Sequence, residues 1–103
     1  MKQSSQGGSL KKTPGANMQL QAYERLLILV DRIALPHLIS RVNQPNANAR
    51  EMQLLLTQNI RSEFDYNITQ QIYVSPDAWD TVKNLKEQNL LIINQLAKAN
   101  QLN

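Results

Sequence analysis

No cysteine occurs among the 103 residues, which excludes disulfides, thiolate metal sites and cysteine nucleophiles. Aromatic residues are scarce, with one Trp, one Phe and three Tyr, so aliphatic side chains must fill most of any core. The longest uninterrupted aliphatic run is Leu26 to Val30, far short of the roughly 20 residues that span a bilayer. Met1 to Thr13 lacks the apolar stretch of a secretory signal. All three glycines, Gly7, Gly8 and Gly15, fall in the first 15 residues. Tight hairpin turns usually need glycine at positive φ, so a glycine-free remainder disfavours a β-meander and favours long helices.

Clustered charge of one sign is also missing. The formal net charge is +3, yet Lys2, Lys11 and Lys12 lie in a segment without acids. From Ala16 onward eight basic residues stand against eight acidic ones. A phosphate-binding face needs concentrated positive potential on a folded surface, and the pattern supplies none. Polarity comes instead from 12 Gln and 11 Asn, scattered through periodic segments rather than gathered into a tract. A chain of this length has room for one domain, and a domain this small must use nearly all its apolar side chains.

Residues 1–17 combine Gly, Ser and Pro14 and read as a flexible, disordered tail or linker; residues 18–103 read as the helical domain. The first helical segment is expected from about Met18 to Val42. Leu20, Tyr23, Leu27, Val30 and Ala34 form its apolar face, with Leu26 and Ile33 beside them. Pro36 predicts a kink or break. The second segment starts at the N-cap Asn48 and runs to about Ile72, with Met52, Leu56, Ile60, Phe64 and Ile68 on one side. In the third, Ser75 caps, Pro76 takes the first helical position, and Val74 and Trp79 occupy the positions of a hydrophobic staple. Ala78, Val82, Leu85, Ile93, Leu96 and Ala97 form its apolar face. Short links predict an all-α, antiparallel three-helix bundle.

Candidate sites are sparse. His37 is the single histidine, and its neighbours Leu35, Pro36, Leu38 and Ile39 offer no ligands, so it reads as structural or exposed. No metal, cofactor or small-molecule substrate is expected. Asn67, Gln71 and Asn89 fall on apolar faces and read as a buried polar network across the helix interface, with the carboxylate of Glu63 at its edge. Without a paired acid or a nucleophile, that carboxylate does not indicate an enzyme. Asn67-Ile68-Thr69 matches the N-glycosylation pattern, but an inward-facing Asn67 would leave no room for a glycan. Arg61–Asp65 and Lys83–Glu87 have the i,i+4 spacing of solvated surface pairs. Ile28 and Leu91 fall opposite their helices' apolar faces at about 100° per residue. Together with Leu29 and Tyr66, and with Leu54 and Leu55 also off their stripe, they form a candidate interaction surface.

Leu20-Gln-Ala-Tyr-Glu-Arg-Leu26 and the stretch from Ile60 to Trp79, Ile-Arg-Ser-Glu-Phe-Asp-Tyr-Asn-Ile-Thr-Gln-Gln-Ile-Tyr-Val-Ser-Pro-Asp-Ala-Trp, resemble an uncharacterised bacterial family. Its members are small proteins with an N-terminal membrane-spanning helix and a soluble helical domain. The resemblance covers roughly Leu20 to Asn103 and carries no activity to any residue. It implies that the chain is a soluble region excised from a membrane-anchored protein, with a further helix expected beyond Asn103. The expected function is a non-enzymatic protein-interaction domain, with a protein partner or self-association and membrane contact only through the parent's anchor. The alternative is weak nucleic-acid or anionic-surface binding through the basic tail.

Overall fold

The computed structural model describes residues 14–102, excluding the side chains of 14, 15 and 100–102. Of the disordered tail expected over residues 1–17, residues 1–13 lie outside the described residues and residues 14–17 belong to a helix instead. All described elements are helical: α1 (Pro14–Ile33), α2 (Leu35–Val42), α3 (Ala49–Tyr66), a 3₁₀ helix (Ile68–Tyr73) and α4 (Pro76–Leu102). Five helices replace the expected three, because the first segment is two helices and a 3₁₀ helix ends the second. Helix α1 also starts four residues earlier than expected, at Pro14, a residue that suits a first turn needing no amide donor.

The break in the first segment falls at Ala34, two residues before Pro36, with Ala34 at φ −59 and ψ 127. In a continuous helix, Pro36 would leave the carbonyl of Arg32 without a donor and crowd it. Breaking at Ala34 instead places Pro36 in the first turn of α2, where its missing N–H costs nothing. Two carbonyls at the end of α1 are thereby freed and find side-chain donors. Arg41 Nη1 donates to Arg32 O at 3.2 Å, and Asn89 Nδ2 donates to Ile33 O at 2.8 Å in the interior.

Helix α3 begins in a capping box. Asn48 Oδ1 accepts from the Glu51 N–H at 2.8 Å, and Glu51 Oε1 accepts from the Asn48 N–H at 2.9 Å. It ends at Tyr66 rather than near Ile72, because Asn67 competes for the last turn. The Asn67 side chain donates to Glu63 O at 2.8 Å, while its backbone N–H reaches Phe64 O at 3.0 Å. Helix α4 starts as expected, with Ser75 Oγ accepting from the Ala78 N–H at 3.1 Å. Val74 and Trp79 both pack on the core.

Pairings across the helices set their directions. Tyr23 meets Ser75 and Ile33 meets Asn89, so α1 and α4 run the same way. Helix α3 runs against both: Arg25 meets Asn67 and Arg32 meets Glu63, while Gln53 meets Asn94. The core joins Leu26, Leu29 and Ile33 of α1 with Leu38 of α2, then Leu56, Ile60 and Phe64 of α3, and Trp79, Val82, Leu90 and Ile93 of α4. The Phe64 and Trp79 rings are tilted with centroids 4.9 Å apart, and the Lys86 ammonium lies 4.3 Å from the Phe64 ring centre.

The helical phase of α1 differs from expectation. Its inner stripe is Ala22, Leu26, Leu29 and Ile33, whereas Leu20, Tyr23 and Leu27 are exposed. On α4, Leu90 joins the interior and Leu96 is exposed; on the second segment, Ile68 is exposed.

Asn89→Ala is expected to cost about 1–3 kcal/mol in chemical denaturation, because it orphans a buried carbonyl. Trp79→Ala should cost about 3–5 kcal/mol through lost packing, and native Trp79 fluorescence should be blue-shifted relative to free indole. A fully solvated emission spectrum contradicts this packing.

Candidate functional site

The densest polar cluster sits between α1 and α3. Two arginines, Arg32 and Arg41, share one carboxylate, Glu63, and a third, Arg25, stands further along α1. Arg32 Nη2 pairs with Glu63 Oε2, and Arg41 Nη2 lies 4.0 Å from the same oxygen. Glu63 raises the pKa of the Arg32 guanidinium above its ordinary value, first by hydrogen bonding and then by Coulombic attraction, so Arg32 stays charged at any working pH. Arg41 is thus held by two acceptors, a carboxylate and the carbonyl of Arg32.

Two turns back along α1, Arg25 Nε donates to Asn67 Oδ1 at 3.0 Å, and Arg25 Nη2 donates to Tyr66 O at 3.4 Å. Its guanidinium carbon lies 5.1 Å from the centre of the Tyr66 ring. An open groove of about 520 Å³ runs past these groups, lined by Arg25, Ile28, Arg32, Ser62, Glu63, Tyr66 and Asn67. A second groove, about 280 Å³ and more apolar, lies between α2, α3 and α4, with Ile39 and Leu96 at its edge.

The candidate surface residues separate under this geometry. Ile28 is 59% exposed and Tyr66 78% exposed, and both line the first groove. Leu91 is 56% exposed but does not line that groove. Leu29 is fully buried at 0%, which removes it from any surface. The run Leu26 to Val30 offers apolar residues all round the helix, so the sequence admits a phase in which Leu29 faces outward; packing selects the other. Leu54 is exposed and Leu55 partly so.

The expected polar network also divides. Asn67 and Asn89 are buried, but each serves a different helix end, Asn67 on α3 and Asn89 on α1. Gln71 is exposed and its Nε2 donates only to the nearby Ile68 O at 3.0 Å. The 3₁₀ helix changes the residue period after Tyr66, so Gln71 leaves the stripe that Asn67 occupies. Buried and doubly engaged, Asn67 has no space for a glycan. His37 is exposed, with Nδ1 2.9 Å from Asp31 Oδ1. Glu87 pairs with Lys86 at 2.9 Å rather than with Lys83. Sequence reasoning missed the arginines altogether, since their i,i+7 spacing at Arg25 and Arg32 signals a common α1 face only when α3 is known to cover it.

Tyr23 lies outside the groove. The Ser75 N–H donates to its phenolic oxygen at 3.0 Å, and that bond holds the phenol below its usual pKa. Among the described residues, no group of three or more His, Cys, Asp or Glu is placed to hold a metal ion, and no helix is long and apolar enough to cross a membrane.

A family model described as "Family of unknown function (DUF7935)" matches residues 3–103, and the chain belongs to that family. No curated protein and no solved structure matches it.

Glu63→Gln removes the one carboxylate shared by Arg32 and Arg41. The pair is partly exposed, with 42% of the Arg32 side chain accessible, so solvent screening limits the loss to about 0.5–1.5 kcal/mol. Denaturation in 1 M salt should shrink the difference between variant and wild type; a difference independent of salt contradicts an ionic origin.

Proposed function

Starting from membership of a family of unknown function, we propose that this chain is a non-enzymatic protein-interaction domain whose contact surface is the groove between α1 and α3. The observation that carries this reading is the placement of Ile28 and Tyr66, two large exposed side chains, on one groove flanked by Arg25 and Arg32. Single exposed aliphatics are ordinary. An aromatic and an aliphatic beside fixed arginines, however, have the composition of an interface centre, where Tyr and Arg are enriched. Covering both apolar side chains contributes roughly 1.5–3 kcal/mol each, enough for a weak contact and too little for a tight one once association entropy is counted.

The three longer helices act in this reading as an antiparallel bundle that holds the groove rigid. The resemblance to small bacterial proteins with an N-terminal anchor supports a tether to a membrane, so that the domain meets its partner near the bilayer surface.

Sedimentation equilibrium up to millimolar concentration, together with affinity capture from host cells, should compare wild type with Ile28→Lys and Leu91→Lys. Ile28→Lys is expected to abolish self-association or partner capture while leaving the helical circular dichroism unchanged. Leu91→Lys, outside the groove, should keep both. A wild-type chain that stays monomeric and captures the same proteins as Ile28→Lys sinks the reading.

A further inference from the structure

Arg25 is fixed in place without being neutralised. Its two hydrogen-bond acceptors, Asn67 Oδ1 and Tyr66 O, are uncharged, and so is the Tyr66 ring beside it. Among the described residues the ion pairs engage Arg32, Arg41, His37 and Lys86, and none engages Arg25. A guanidinium carries five N–H donors. Two are used here, which leaves three. Its neighbour Arg32, one face-repeat along α1, has its charge balanced by Glu63.

We propose that the Arg25 end of the groove is a carboxylate-binding site for an acidic peptide segment of a protein partner. Arg25 takes the carboxylate of an Asp or Glu, and Ile28 and Tyr66 take the apolar side chain next to it. The inference rests on the interaction reading above and specifies the chemistry of the partner. Three arguments support it. The planar guanidinium fork matches a carboxylate in two parallel hydrogen bonds. The fork is already oriented by Asn67 and Tyr66, so little side-chain freedom is lost on binding. Finally, the charged residues lining the groove are Arg25, Arg32 and Glu63, two cations and one anion, giving a net charge of +1. That balance suits one carboxylate better than a dianionic phosphate or a run of nucleic-acid phosphates, which need several cations together.

The test is NMR titration of isotopically labelled protein with three probes: N-acetyl-Phe-Asp-amide, N-acetyl-Phe-Asn-amide and inorganic phosphate. The Asp dipeptide should shift the Arg25 Nε–H and Ile28 methyl signals saturably, with an affinity at least about tenfold above that of its Asn counterpart. Arg25→Lys keeps the charge but not the fork and should lose most of this preference. Ile28→Ala should weaken binding of the Asp dipeptide while leaving the Arg25 signal of the free protein in place, which keeps the test decisive if the Arg25 variant fails to fold. Equal affinity for the two dipeptides, an equal response to phosphate, or shifts outside the groove overturn the proposal. If the dipeptides do not bind but Ile28→Lys still abolishes association, the contact surface stands and the acidic partner falls. If neither effect appears, both fall.

Discussion

The interior hydrogen bond from Asn89 to the carbonyl of Ile33 is the interaction on which the arrangement of the other helices depends. Pro36 cannot continue α1, and the break at Ala34 leaves a carbonyl facing the core rather than water. An unpaired buried carbonyl is among the costlier defects a small domain can carry. A single amide from α4 removes it, and in doing so sets the register of α4 on α1. Once Asn89 is placed, Val82, Leu90 and Ile93 face inward with it, and Leu29 and Ile33 must turn toward them. The second freed carbonyl, on Arg32, faces outward and is taken by Arg41. That bond folds α2 back and brings Arg41 to Glu63.

The arginine cluster follows from the same break. Glu63 is shared between Arg32 on α1 and Arg41 on α2, so one carboxylate fastens both sides of the broken segment to α3. Arg25 lies beyond the reach of that arrangement, at the C-terminal end of α3. There, helix carbonyl groups and the negative end of the helix dipole favour a cation. Its structural role accounts for its fixed position, and the absence of a paired acid among the described residues accounts for its residual charge. Structural placement and availability for a ligand are therefore compatible in one residue.

The starts of α3 and α4 were legible in the sequence because caps are local chemistry. Asn48, and Ser75 before Pro76, require no knowledge of distant residues. The all-helical character followed from the absence of glycine after Gly15. The phase of α1 was not legible, since five consecutive aliphatics from Leu26 to Val30 satisfy a buried stripe in more than one rotation. This ambiguity placed Leu29 on the surface and Tyr23 and Leu27 in the core. Asn67 and Asn89 were recognisable as buried amides, but their partners are backbone carbonyls of helix ends, which a side-chain pattern does not display. Gln71 was misplaced because nothing in Ile68–Tyr73 announces the change to 3₁₀ spacing. The groove was half legible: Ile28 and Tyr66 stood out as apolar residues on polar faces, while Arg25 looked like ordinary helix surface.

Asn89 and Ile33 are 56 positions apart, and that separation shapes how the protein is made. As the chain leaves the ribosome, the α1–α2 corner emerges long before the amide that completes it. Until then water must solvate the Ile33 carbonyl, and the hydrophobic residues around it cannot close over the corner without stranding it. A compact N-terminal half would therefore carry one unmet acceptor, a penalty of about 1–3 kcal/mol that the arrival of α4 removes. The last helix to be made thus supplies the group that completes the first corner, and the two ends of the domain are coupled through one buried bond.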